Sequence, residues 1–136
     1  MPTLIVMRGI PGSGKTRFAQ KLARAWQAIY VSSDLIRYEL TGDENDQTRN
    51  SEVFPLLSAR VRNGLGRGYD VVVDATNAEP ERVREWHALA TELAVELVVL
   101  RMDTPLEESL RRNANRQRRV PADVILTMAA QLLVEW

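Results

Sequence analysis

The chain has 136 residues, with 18 Lys and Arg balancing 18 Asp and Glu, one His and no Cys, so it suits one domain spanning 1–136 and excludes disulfides and thiolate metal sites. Zero formal charge argues against broad electrostatic capture of nucleic acid, which needs many clustered cations. No apolar stretch approaches the ~18 residues of a membrane span, and no basic region precedes the short N-terminal apolar run, so a soluble, cytoplasmic protein is expected.

Leu4–Met7 is an apolar run that reads as a first strand, and Gly9-Ile-Pro-Gly-Ser-Gly-Lys-Thr16 follows it directly. That is the Gly-x-x-x-x-Gly-Lys-[Ser/Thr] phosphate loop. Its glycines let successive backbone N–H groups curl around phosphate oxygens, and a helix opening at Gly14 aims its positive end at the anion. Gly9, Gly12, Ser13, Gly14, Lys15 and Thr16 are therefore candidates for binding ATP. Lys15 would act in catalysis as a mobile charge on the β and γ phosphates, and Thr16 would offer its hydroxyl to Mg²⁺.

A second strand, Ile29–Val31, leads into Ser32-Ser33-Asp34 with Arg37 three residues on. In parallel α/β sheets ligands sit at the carboxyl ends of strands, so these positions come first for scrutiny. Asp34 suits a general base that accepts a proton from a phosphoryl acceptor, and the i, i+3 spacing puts Arg37 on the same helical face. Alternatively, Ser33 or Asp34 caps the short helix to Leu40. The acidic stretch 42–46 lacks a full calcium-loop pattern and reads as a solvated turn. Val53, Leu57, Val61 and Leu65 stripe a helix that Gly66 and Gly68 end.

The third strand, Val71–Val73, delivers Asp74, placed as an acidic Mg²⁺ partner acting through bound water, or as a helix cap. Thr76 and Asn77 could bind substrate or cap the helix after Pro80, whose stripe is Val83, Trp86, Ala90 and Leu93. His87 reads as a surface residue of that helix. After the fourth strand, Leu97–Leu100, Asp103 reads as part of a turn. Thr104-Pro105-Leu106-Glu107 then combines a capping box with proline at the first helical position, starting a helix towards Arg116. Five of the sixteen arginines fall between Arg111 and Arg119. The segment reads as a lid whose guanidinium groups bridge charge developing on a transferred phosphoryl group; Arg116 is the candidate, with Arg112, Arg118 and Arg119 open from spacing alone. Val124, Met128 and Leu132 stripe a last helix. The whole predicts an α/β phosphate-loop NTPase fold of three layers, with a short parallel sheet of about four strands, flanking helices and a helical lid.

These residues resemble a family, the kinase domain of phage and bacterial polynucleotide 5′-kinases of RNA repair. The resemblance runs nearly end to end: Gly9–Thr16, Ser33-Asp-Leu-Ile-Arg37, the loop Asp43–Gln47, Asp74-Ala-Thr-Asn77 with Pro80-Glu-Arg82, Arg112-Asn-Ala-Asn-Arg116, and Val120-Pro121 with Val124 and Met128. It implies that Asp34 is the general base for a 5′-hydroxyl, that Arg37 holds the acceptor's phosphate, that Arg116 serves the donor phosphates, and that Lys15 and Thr16 bind ATP·Mg²⁺. The implied partner is the 5′ end of RNA or DNA. Family members often carry a phosphatase or ligase domain after the kinase, so a separate protein would supply those activities here. Competing readings are a kinase for a small hydroxyl acceptor and an ATPase module that transfers to no acceptor.

Overall fold

Successive residues of β1 (Thr3–Arg8) point to opposite faces, and side chains cover both of them. In the computed structural model of this protein, which describes residues 2–10 and 13–102, the other strands are β2 (Ile29–Ser32), β3 (Val71–Asp74) and β4 (Glu96–Arg101). They form one sheet of order β2-β3-β1-β4, and every pairing is parallel. The register sets Val31 opposite Val73, Val73 opposite Val6, and Ser32 opposite Asp74. The carboxyl ends of β2 and β3 therefore finish side by side, and Asp74 is the last residue of its strand.

Among the described residues four helices flank the sheet: α1 (Lys15–Trp26), α2 (Ser33–Thr41), α3 (Asn50–Gly66) and α4 (Pro80–Leu93). On one face, Ala19 and Ala23 of α1 pack with Ile5, Met7 and Val72. On the other, Val53, Leu57, Val61 and Leu65 of α3 and Trp86 and Leu89 of α4 pack with Leu4, Val6, Val71 and Val73. Burying each such aliphatic side chain contributes about 1.5–3 kcal/mol, which is how short strands of continuous apolar sequence hold two helical layers. Gly64 of α3 packs directly against side chains of the sheet. A Cβ there would lie 2.9 Å from Cγ2 of Val71, so packing retains a residue that otherwise weakens a helix by about 1 kcal/mol.

The expected strands and the stripes of α3 and α4 lie where the sequence puts them, and His87 is exposed on α4. One expectation is corrected. Neither Ser33 nor Asp34 caps α2; Ser32 does, its Oγ accepting from Leu35 N at 3.3 Å. Because β2 runs one residue further than its apolar run, the cap falls on the strand's last residue and Asp34 belongs to the first helical turn. The expected turn at Asp103, the lid and the last helix lie outside the described residues. Among those described, no helix is long and apolar enough to cross a membrane.

The loop between β3 and α4 is tied to the end of β1. Asn77 adopts a left-handed φ of 46°, a conformation asparagine tolerates better than most residues. Its Nδ2 donates to the carbonyl of Met7 at 2.7 Å, and its Oδ1 accepts from Nε1 of Trp86 at 3.0 Å. Arg8, 1% exposed, donates from Nε to the Asn77 carbonyl at 2.7 Å and from Nη2 to that of Ala78 at 3.1 Å. Trp86→Phe is expected to cost about 1–3 kcal/mol by leaving Oδ1 of Asn77 without its buried donor. Trp86→Ala, which also removes the ring, should cost about 3–5 kcal/mol. Equilibrium urea unfolding measures both; parental stability for Trp86→Phe would contradict the role given to this bond.

Candidate active site

The loop after β1 is shaped by how little room it has. A Cβ on Gly9 would lie 2.8 Å from Oγ of Ser13 and 3.1 Å from Cβ of Met102, so only glycine fits between the loop and the chain leaving β4. Gly9 N donates to the carbonyl of Thr76 at 3.2 Å, and Met102 N donates to that of Arg8 at 2.8 Å. Gly14, with φ 88°, caps α1, and Phe18 N closes the first turn onto its carbonyl at 3.1 Å. Ser13 is buried beneath the loop. Oriented N–H groups at a helix start, followed by a lysine, are what an anionic phosphate chain needs.

Lys15 and Asp74 meet at the centre. Lys15 is 8% exposed and Asp74 2% exposed, with Nζ donating to Oδ1 at 2.9 Å. The hydroxyl of Tyr30 donates to the other oxygen, Oδ2. Burial pushes the Asp74 carboxyl up, but the Lys15 ammonium and the hydrogen bonds from Tyr30, Lys15 and Thr16 outweigh it and hold the group below the usual carboxylate range. Asp74 is thus a buried carboxylate whose two oxygens are both engaged. Burial first, then the bond to Asp74 and its charge, push the Tyr30 phenol well above its ordinary value; the nearby charge of Asp34 adds to the rise and Ser32 opposes it. Tyr30 was not among the residues expected from sequence.

Asp34 and Arg37 sit on the adjoining side. Arg37 Nη1 donates to Oδ1 of Asp34 at 2.9 Å, the contact their spacing predicts, and its Nε donates to Oδ1 of Asn50 at 2.9 Å. The Arg37 side chain is only 13% exposed, against 35% for Asp34. The guanidinium is therefore held at Nε and Nη1, and the carboxylate is the more exposed partner of the pair. Arg37, Asn50, Phe54, Thr76 and Arg82 line a cleft of about 220 Å³. Its wall includes a stack in which the Arg82 guanidinium lies 3.9 Å from the Phe54 ring centroid, itself 5.3 Å from that of Trp86.

The candidates from sequence thus divide. Gly9, Ser13, Gly14, Lys15, Thr16 and Asp74 come together at the phosphate loop, Arg37, Thr76 and Asn77 line the cleft, and Asp34 is bonded to Arg37. Of the cleft residues, Asn77 is 4% exposed, and its side-chain amide is bonded to Met7 and Trp86. Gly12 and Arg116 lie outside the described residues. The acidic turn folds on itself, Asp43 and Asp46 accepting from Asn45 N and Thr48 N at 2.9 Å each. Among the described residues, no three His, Cys, Asp or Glu gather as a metal cage. A hydroxyl and one carboxylate, Thr16 and Asp74, fit Mg²⁺, which takes few protein ligands and keeps water and phosphate oxygens.

Residues 4–133 match a family model described as an AAA domain. The chain is 25% identical over 135 residues to an L-seryl-tRNA(Sec) kinase of Methanococcus maripaludis, covering 92% of this chain and 50% of that protein. It is 26% identical over 130 residues to a protein of Autographa californica nuclear polyhedrosis virus assigned as a bifunctional polynucleotide kinase/RNA ligase, covering 87% of this chain and 19% of that one. A chain in the structure of the Pnkp1/Rnl/Hen1 RNA repair complex superposes with a TM-score of 0.85 at 25% identity, over 97% of this chain and 44% of its own length. The chain spans half or less of each of these relatives.

Removing one partner of a buried ion pair leaves the other charge stranded, at a cost of about 3–5 kcal/mol. Lys15→Ala is expected to destabilise the nucleotide-free protein by that order, and Asp74→Asn added to it should recover part of the loss. A double-mutant cycle on urea unfolding gives the coupling; additive effects would mean that the pair does not form.

Proposed function

This chain belongs to the AAA domain family, its relatives are phosphate-loop kinases, and on that premise we propose that it transfers the γ-phosphoryl group of ATP to the 5′-hydroxyl end of a polynucleotide. The observation that carries this reading is the Asp34–Arg37 pair, whose arginine lines a cleft that reaches Ala75, the residue after Asp74, with a second guanidinium, Arg82, lining the same cleft. Two guanidinium groups beside an acceptor-facing carboxylate suit a hydroxyl with a phosphate close by, as in a terminal nucleotide, better than they suit a neutral alcohol.

In this reading the acceptor oxygen attacks the γ phosphorus, its proton passes to Asp34, and the bond to the bridging oxygen breaks to release ADP. Arg37 orients Asp34 and holds the acceptor's phosphate. Lys15 leaves Asp74 for the donor phosphates, and the backbone N–H groups at Gly9 to Gly14 cradle them. Thr16 directly and Asp74 through water would hold Mg²⁺. The bound cation neutralises charge on the phosphate oxygens. Arg116 would serve the donor phosphates.

With γ-labelled ATP and a 5′-hydroxyl oligonucleotide, label is expected on the 5′ end. Asp34→Ala should lower the rate about 10²–10⁴-fold while ATP binding stays near the parent's. Equal loss of binding and transfer would make Asp34 structural, and absence of label on both RNA and DNA would refute the reading. Arg37→Ala should raise KM for a phosphate-bearing acceptor at least tenfold, in line with loss of a charge-assisted hydrogen bond worth about 1.5–3 kcal/mol.

A further inference from the structure

Tyr30 lies on β2 two residues before Ser32, the residue opposite Asp74, and its ring packs with the α1-facing cluster of Ile5, Met7, Ala19, Ala23 and Val72. From that anchored ring the hydroxyl reaches Oδ2 of Asp74. Asp74 in turn is 2% exposed and takes its other bond from Lys15. The two bonds differ in permanence. A phosphate-loop lysine serves the donor phosphates, so Lys15 must release Oδ1 when nucleotide arrives. A buried carboxylate that loses one of two anchors can turn about its side-chain torsions and leave the position from which it serves the cation. The tyrosine bond comes from a ring fixed in the sheet and requires no such release.

We infer that Tyr30 is a positioning residue that holds Asp74 in place while Lys15 moves from it to the donor phosphates. The side chain contributes no group to the reacting atoms. It keeps Oδ2 occupied, so that the carboxylate holds its orientation when Lys15 vacates Oδ1. Partners of this kind behind a metal-serving carboxylate typically carry a 10–100-fold effect on metal affinity. The inference rests on the donor half of the proposed function and not on the identity of the acceptor.

The test uses the full chain and Tyr30→Phe, which keeps the packed ring and deletes the hydroxyl. Binding of methylanthraniloyl-ATP is titrated in EDTA and across a Mg²⁺ series. Metal-free affinity is expected to stay within about twofold of the parent, while the Mg²⁺ concentration for half-maximal effect rises about tenfold or more. In an Asp74→Asn background, Tyr30→Phe should change that concentration less than about twofold, because the group it positions is gone. Two results would overturn the inference: a Mg²⁺ series for Tyr30→Phe that overlays the parent's, or equal weakening with and without Mg²⁺, which would mark the hydroxyl as merely structural. Failure of the parent chain to bind the nucleotide at all would overturn the donor reading and this inference together, so the two failures are distinguishable.

Discussion

A carboxylate with 2% exposure has to be partnered on every side, and in this protein that requirement falls on Asp74. It draws Lys15 from the start of α1 and Tyr30 from the middle of β2 to the end of β3. Three elements adjacent only through the parallel sheet are thereby fixed to one functional group. In the proposed reading the bond to Lys15 is exchanged for phosphate, whereas the bond to Tyr30 comes from a ring in the packed layer.

A second set of bonds keeps that frame rigid. Asn77 and Arg8 use side-chain donors to satisfy carbonyls at the end of β1 and in the β3–α4 loop, and Trp86 completes the set from α4. The phosphate loop leaves β1 immediately beyond Arg8, so the backbone that would cradle phosphate starts from a braced strand end. Thr76, held through its carbonyl by Gly9 N, and Ala75 and Ala78 beside it also line the cleft next to Arg37. In the proposed reading, donor and acceptor sides consequently share one short loop.

Much of this was legible in the sequence, for reasons that are physical. Buried parallel strands read as continuous apolar runs, so Leu4–Met7 and Val71–Val73 announced themselves. The phosphate loop depends on spacing within eight residues, and the Asp34–Arg37 contact on one helical turn. What escaped depends on neighbours distant in sequence. Tyr30 reads as an ordinary strand aromatic until β2 is set beside β3. Arg8 carries no signal of its own in the sequence, and its burial follows from the β3–α4 loop laid against it, whose carbonyls it meets. The bonds of Asn77 were not legible because its partners, Met7 and Trp86, lie 70 and nine residues away. The cap of α2 shifted by one residue because β2 extends past its apolar run to Ser32.

The central claim is that the Lys15–Asp74 site and the Asp34–Arg37 cleft form the donor and acceptor halves of one phosphotransfer centre. An acceptor competition addresses it most directly: ADP release and product formation measured together with Mg·ATP and either a 5′-hydroxyl RNA, a 5′-hydroxyl DNA, a small alcohol, or the same oligonucleotides already phosphorylated at the 5′ end. The account predicts one ADP for each new 5′-phosphate, with turnover favouring a hydroxyl-ended oligonucleotide over the alcohol and collapsing when the end is blocked. ADP released at the same rate with blocked and open ends would contradict it.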